Sequence, residues 1–477
     1  MRGDHVSRRT FISQTGKTAL AAWTGAALGW NRVGHTARVG PNDRVRLGII
    51  GCGGMGRAHT YALAYEEECE IVALCDVFKP RYEALAPQVE KITGKCPDVY
   101  QDFRHLLDRA DIDAVFVVTP DHWHPLLTIL ACQAGKDVYV EKPVCTTIHE
   151  GRAMVDAARR YGRVVQVGTQ QRSMPVFQKA IEIVRNGRLG PITTASAWIG
   201  TNPRDVIEQP GPVPEGLDWD LWLGPAPYVP YSPERQFGFM MWHDYCRGGE
   251  LTNWGTHLID VVHWGIGEDR PLSVQATGGN YRDMPGADNY ETIEALFEFK
   301  GCTVTWEQRH STGHEKGYGI QFQGPRGRLV VDRGSFLVFP TSLGIPEYVG
   351  EPERSWANPA HHRDLFDCIR TRRRPVADIE QGFRSTATVL LAGIALKVRR
   401  KLVWDGDAER FLHDEEANRH LTRPYRAPWH LYRTHARTGH SPNGQDSRSK
   451  KRGAMPRGDR VRDLHGRSAH RGRGLAD

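Results

Sequence analysis

The nine cysteines of this 477-residue chain form no Cys-x-x-Cys pair, and most sit inside apolar runs. That disfavours a zinc ribbon, a redox dithiol and a disulfide framework, so small buried thiols and no metal site are expected. No apolar run has the length a membrane-spanning helix needs. The best candidate, residues 19–29, is short and interrupted by Thr24 and Gly25. Internal repeats are lacking as well. The formal charge of +7 does not belong to the folded body: residues 432–477 hold 12 Lys or Arg and 4 Asp or Glu, which leaves 51 basic against 52 acidic residues elsewhere. This tail is poor in large apolar residues and reads as a disordered basic extension, so no specific nucleic-acid partner is expected. What remains is long enough for two or three domains, with 39% hydrophobic residues to fill their cores.

The N-terminal region, residues 1–40, carries a targeting pattern. Ser7-Arg8-Arg9-Thr10-Phe11-Ile12-Ser13 resembles a twin-arginine export signal, and Lys17 and a mildly apolar stretch follow it. The expected partner is the twin-arginine export machinery, and the expected location is periplasmic or otherwise exported. Cleavage before Ala37 would place His35, which is not small, at the −3 position. An uncleaved membrane anchor therefore stays open. The route carries folded proteins, which suits an enzyme that loads a nucleotide before export.

Residues 44–168 read as a nucleotide-binding domain. The β-branched run Val45–Ile50 leads straight into Gly51-Cys52-Gly53-Gly54-Met55-Gly56, and a helical segment, Arg57–Glu68, follows. A G-x-G-x-x-G between strand and helix is much more specific than the glycines alone. Gly51 permits the tight turn, Gly53 lets backbone approach a pyrophosphate, and Gly56 lets the helix pack closely. The next strand, Ile71–Cys75, ends at Asp76, an acid suited to ribose hydroxyls and hostile to a 2′-phosphate. NAD is therefore expected in preference to NADP. Further strands at Asp113–Val118, Asp137–Val140 and Val164–Val167 alternate with helices at Leu126–Ala134 and Ile148–Tyr161, as in a doubly wound parallel α/β sheet. Thr119-Pro120-Asp121-His122-Trp123-His124 and Glu141-Lys142-Pro143 fall at the carboxyl ends of strands, where such sheets bind ligands.

The motifs GCGGMG, TPDHWH, EKP and GGELTNWGTHLID, spread over residues 44–400, resemble those of the Gfo/Idh/MocA oxidoreductases, which include glucose–fructose oxidoreductase and inositol dehydrogenase. The resemblance implies a second, α+β domain over 169–431 with an open, largely antiparallel sheet, and a homo-oligomer. Its strands are expected at Ile192–Ile199, Leu272–Gly278, Glu291–Phe299, Cys302–Gln308, Gly319–Phe322 and Arg328–Val331, with a helix at Ala387–Arg399. It also implies Lys142 as the catalytic lysine and His257 as the base that takes a hydroxyl proton, with Asn253 at the position where the family usually has Asp. Asn253 and His257 lie four apart, on one face of a helix. Asn brings no negative charge to an imidazolium. Asp260 is a further carboxylate on that stretch, for which a structural role is expected. The implied cofactor contacts are Gly51, Gly53, Gly54, Met55, Gly56, Asp76, Thr119, Pro120, His122, His124, Glu141, Lys142 and Gln170.

The activity these features imply is hydride transfer between nicotinamide and a secondary alcohol of a sugar, polyol or glycoside, on an NAD that stays tightly bound. Two other readings stay open: an NAD-dependent glycosidase working by transient oxidation and elimination, and a non-catalytic sugar-binding relative. Tyr245 and His243 are expected to pack rather than touch substrate. The aromatic stretch around Trp219, Trp222, Tyr228 and Tyr231 is expected to fasten a long loop.

Overall fold

A computed structural model describes residues 43–200, 206–281, 288–310, 313–314, 316–350 and 357–431. The export signal at 1–40 and the basic tail at 432–477 lie outside the described residues.

The first sheet contains β1 (Val45–Ile50), β2 (Cys69–Cys75), β3 (Asp98–Tyr100), β4 (Ala114–Val117), β5 (Asp137–Val140) and β6 (Val165–Val167). All pair in parallel, in the order β3-β2-β1-β4-β5-β6. β4, β5 and β6 are buried along their whole length, as strands covered by helices on both faces must be. The covering helices include α1 (Gly54–Ala64), α2 (Lys79–Thr93), α3 (His124–Gln133) and α4 (Ile148–Arg160). A Thr147–Glu150 capping box starts α4. Strand order reverses direction between β1 and β4, so the loops after these two strands open the crevice where a doubly wound sheet takes its ligand.

The second sheet has ten strands in the order β14-β13-β12-β11-β7-β10-β9-β8-β15-β16. They are β7 (Thr194–Gly200), β8 (Ser273–Gly279), β9 (Thr292–Phe299), β10 (Cys302–Arg309), β11 (Tyr318–Gly324), β12 (Gly327–Val331), β13 (Ser335–Phe339), β14 (Tyr348–Val349), β15 (Leu402–Asp405) and β16 (Arg410–Phe411). Every pairing is antiparallel except that of β7 with β10. β9 and β10 alternate buried and more exposed residues, the mark of a sheet with one face on the core. That face carries Phe297, Val304, Trp306, Ile320 and Phe322, and it meets α5 (Pro175–Arg185), α6 (Glu250–Ile266) and α8 (Ile379–Val398). Gly265 lets α6 approach closely, because a Cβ there would sit on the Phe322 ring.

The boundary between the two cores is not a single point in the chain. α7 (Pro359–Thr371) places Leu365, Phe366 and Cys368 in the apolar cluster formed by β1, β2 and α2. Between β7 and α6 the chain makes a long excursion. Trp219, Trp222, Tyr231, Trp242 and Tyr245 pack together there, against Val77 and Phe78 of the first sheet's β2–α2 loop. No helix of the described residues is long and apolar enough to cross a membrane.

Candidate active site

The glycine loop follows β1. Gly51 has φ of +99°, and a Cβ there would lie 2.4 Å from the Val118 carbonyl oxygen at the end of β4. A Cβ on Gly56 would fall 1.7 Å from the Gly51 carbonyl oxygen. Gly53 caps α1 from an extended conformation, with no side-chain cap and no acid in the helix's first turn. A helix start of this kind leaves backbone N–H groups and dipole for an anion. Gly54 is exposed and Met55 half-buried at that rim. The loop is thus shaped to bring backbone against a pyrophosphate, and it fits a dinucleotide.

Asp76 ends β2. Its Oδ2 accepts from the Cys52 amide at 2.7 Å and its Oδ1 from the Phe78 amide at 2.9 Å. Burial raises its pKa, while the Arg81 charge and these amides pull the other way. Arg81 Nη1 lies 3.5 Å from Oδ2 and leans over Gly53. Asp76 therefore shapes the loop beside any role toward a ribose, and Arg81 is an adjacent group that sequence reasoning missed.

Thr119 and Pro120 leave β4 half-buried, facing the crevice. His124 is different. Its ring nitrogens contact the Pro143 and Thr119 carbonyls at 2.7 and 2.8 Å, so the ring ties the two motif loops together. His122 is fully buried, with Nε2 3.0 Å from the Trp222 carbonyl and its ring between Trp222 and Tyr245. Burial foremost, then the Arg423 charge, lowers its pKa to about 3. Both histidines brace the cleft wall, His124 through both ring nitrogens and His122 through Nε2, while His122 Nδ1 has no hydrogen-bond partner among the described residues. Tyr245 and three of the excursion's aromatics, Trp219, Trp222 and Tyr231, are buried, while Tyr228 is exposed.

Glu141 and Lys142 follow β5. The buried Glu141 carboxylate takes the His59 Nε2–H at 2.9 Å and the Lys142 amide at 3.1 Å, and Gly168 makes room for it. His59 Nδ1 meets His362 Nε2 at 2.9 Å. Burial opposes the Glu141 charge, but the His59 hydrogen bond and the charges of His59 and Lys142 hold its pKa below the usual range. His59 on α1 and His362 on α7 had no sequence signal beyond being histidines in helical segments. Gln170 is buried in the short turn after β6.

Lys142 Nζ reaches α6, donating to Asn253 Oδ1 at 2.5 Å and to its backbone carbonyl at 3.3 Å. Asn253 Nδ2 donates to Glu250 at 2.9 Å. Asn253 thus serves the lysine, and no Asn253–His257 hydrogen bond occurs among the described residues. His257, one turn on, is 4% exposed, and its Nδ1 has no hydrogen-bond partner among the described residues. Burial, then the charges of Lys142, Arg333 and His361, press its pKa well below the usual value. It is therefore neutral, with a lone pair available, at ordinary pH. Asp260 forms a buried ion pair with Arg172 at 2.7 Å and accepts from Ser385 at 2.8 Å. Its carboxylate belongs to the core. All nine cysteines are free, eight of them buried, and no metal-binding cluster occurs among the described residues.

Residues 45–169 match the model for the oxidoreductase family NAD-binding Rossmann fold, and residues 191–431 match that for the family's C-terminal α/β domain. The chain belongs to the Gfo/Idh/MocA oxidoreductase family. Inositol 2-dehydrogenase 2 of Saccharopolyspora erythraea is 26% identical over 370 residues, 76% of this chain and 89% of that protein. Two relatives match over less than half their own length. These are the oxidoreductase YrbE of Bacillus subtilis, 34% identical over 31% of this chain and 42% of that protein, and glycosyl hydrolase family 109 protein 1 of a Shewanella strain, 31% identical over 33% and 38%. Among solved structures, the aldose–aldose oxidoreductase of Caulobacter crescentus has the same fold, with a TM-score of 0.60, 22% identity, and coverage of 76% of this chain and 99% of that one. Like its family, this chain carries an NAD-binding Rossmann domain.

Proposed function

We propose that this family member reversibly oxidises a secondary alcohol of a sugar, polyol or glycoside at the expense of a bound NAD. One observation carries the reading: the Lys142 ammonium, fixed by Asn253, stands beside a His257 that burial keeps neutral. When bound, the nicotinamide supplies the hydride acceptor. Lys142 donates hydrogen bonds to the reacting oxygen and favours its negative charge. His257 takes the hydroxyl proton on its unprotonated nitrogen, work typically worth about 10²–10⁴ in rate. Asn253 orients the lysine, and Glu141, locked by His59, holds the backbone from which it springs. The test is a panel of sugars and polyols with purified protein and NAD, followed by absorbance of the reduced cofactor. No reduction with any of them by cofactor-competent protein refutes it.

The glycoside hydrolase relatives favour a second reading, cleavage of a glycosidic bond with no net cofactor change. Release of free sugar at constant absorbance identifies it. We further propose export of the folded enzyme by the twin-arginine route. Replacing Arg8 and Arg9 by Lys should hold it in the cytoplasm, and continued export overturns this.

A further inference from the structure

The last described stretch, residues 422–431, contains no helix or strand, yet it carries a buried cation. The Arg423 side chain is 4% exposed and reaches three separate segments. Its Nε donates to Glu150 Oε1 at 2.7 Å, its Nη1 to the Asp244 carbonyl at 3.0 Å, and its Nη2 to the His122 carbonyl at 3.2 Å. Each of the three segments adjoins part of the candidate site.

Glu150 closes the loop that begins at Lys142. Its second oxygen accepts from the Thr146 amide at 2.9 Å, the Thr146 hydroxyl at 2.8 Å and the Thr147 amide at 2.9 Å. Tyr425, from the same stretch as Arg423, donates its hydroxyl to Oε1 at 2.9 Å. Burial opposes the Glu150 charge, but the Arg423 guanidinium and the Thr146 and Tyr425 hydroxyls hold its carboxyl below the usual range. His122 belongs to the loop after β4, which His124 ties to the Pro143 carbonyl. Asp244 precedes the Gly248-Gly249 turn into α6, where the Asn253 amide donates to the Gly249 carbonyl at 2.9 Å. The Lys142–Asn253 hydrogen bond therefore joins two segments that share Arg423 as a partner.

We propose that Arg423 is a positioning residue, which holds the Lys142 loop, the 119–124 loop and the entry to α6 together and so sets where Lys142 meets α6. The effect on turnover rests on the oxidoreductase reading; the tie between the three segments does not. A guanidinium presents its donors from three nitrogens in one rigid plane, whereas an ammonium is a single donor atom on a flexible stem. Lysine at this position keeps the charge beside Glu150 but cannot occupy all three acceptors at once. Loosening the lysine loop against α6 by about 1 Å can cost about 100-fold in rate without any loss of a reacting group.

Arg423→Ala would strand the buried Glu150 carboxylate and endanger folding, so the experiment uses Arg423→Lys in the full chain. The control is Arg426→Ala. Arg426 holds the same stretch to the 220–226 segment, through Asp220 and the Gly224 and Ala226 carbonyls, and bonds none of the three site segments. Amide exchange read by mass spectrometry reports the tie. Arg423→Lys should speed exchange in residues 120–124, 142–147 and 244–253 together, while Arg426→Ala should speed it only in 220–226 and 422–431. Turnover of glucose, galactose, mannose and myo-inositol with NAD reports the consequence. In Arg423→Lys kcat should fall by about 10- to 100-fold with KM changed less than about threefold, and in Arg426→Ala both should stay at the parent's values. Unchanged exchange in the three segments, equal damage from Arg426→Ala, or failure of Arg423→Lys to fold overturns the proposal. So does a parent-like kcat in Arg423→Lys. If the parent reduces NAD with none of the four, the oxidoreductase reading loses these substrates, and the exchange pattern alone upholds or overturns the tie.

Discussion

The glycine loop yields a quantitative contrast between two neighbouring positions. In Gly56→Ala the new methyl would stand 1.7 Å from the Gly51 carbonyl oxygen, where non-bonded heavy atoms rest at about 3.5–4.0 Å. The helix or the loop must then move by about 2 Å. Gly51 has little room to yield, since it already lies against the Val118 carbonyl at the end of β4. Overpacking of this kind typically costs about 1–3 kcal/mol, and backbone-on-backbone overlap belongs at or above the upper end. At about 2–4 °C per kcal/mol, the melting temperature should fall by roughly 6–12 °C. Displacing one amide from a phosphate forfeits a charge-assisted hydrogen bond of about 1.5–3 kcal/mol, which weakens NAD binding by about 10- to 150-fold. Gly54 is the control: a Cβ there meets nothing within 4 Å, and the residue opens α1. Gly54→Ala should match or slightly exceed the parent's melting temperature, because alanine loses less backbone entropy in a helix. Scanning calorimetry without cofactor and NAD titration by fluorescence quenching measure both effects. Wild-type behaviour of Gly56→Ala, or equal damage from the two substitutions, would refute the reasoning.

Lys142→Ala should abolish turnover yet leave the NAD dissociation constant within a few-fold, since the glycine loop and Asp76 lie elsewhere; retained turnover removes the lysine from the chemistry. Asn253→Asp should raise the His257 pKa by placing a negative charge one turn away. The imidazole then stays protonated to higher pH, so the acid limb of the pH–rate profile moves up; an unmoved limb means His257 is not the base. Asp260→Asn leaves the Arg172 guanidinium buried without its counter-charge, which should cost about 3–5 kcal/mol in urea unfolding. A loss below 1 kcal/mol would show that the pair is not structurally important.

The parallel sheet was legible because its strands are short apolar runs closed by ligand-facing motifs. Asp137–Val140 has the expected bounds, and β1 runs straight into the glycines. β3 escaped notice because it is three residues long and mostly exposed, so it lacks the apolar pattern that marks its neighbours. β13–β16 are likewise short edge pairings whose register comes from the strands beside them. α7 is amphipathic like any surface helix, and nothing in its sequence says that its apolar stripe joins the first core rather than the second. The chain after 421 illustrates the same limit. Arg423 is buried against Glu150 at 2.7 Å and reaches the carbonyls of Asp244 and His122, yet its surroundings (LTRPYRAPWH) read as loop.

The site itself divides along one physical line. Residues that act through backbone shape, such as Gly51 and Gly56, announce themselves by type, because only glycine fits a positive φ or an overlapping Cβ. Residues that act through a partner do not. The i, i+4 spacing of Asn253 and His257 correctly put both on one face of α6. A helix face, however, does not say what lies opposite. β5 delivers Lys142 to the first turn of α6, so the ammonium arrives at Asn253 before it could reach His257. The amide carbonyl then takes the stronger, charge-assisted donor. An Asp in that place would form an ion pair with the lysine and neutralise it. Asn fixes the same geometry while leaving the ammonium's full charge in the cleft. Relative to an Asp, Asn253 therefore changes the charge beside the lysine and not a hydrogen bond to the imidazole.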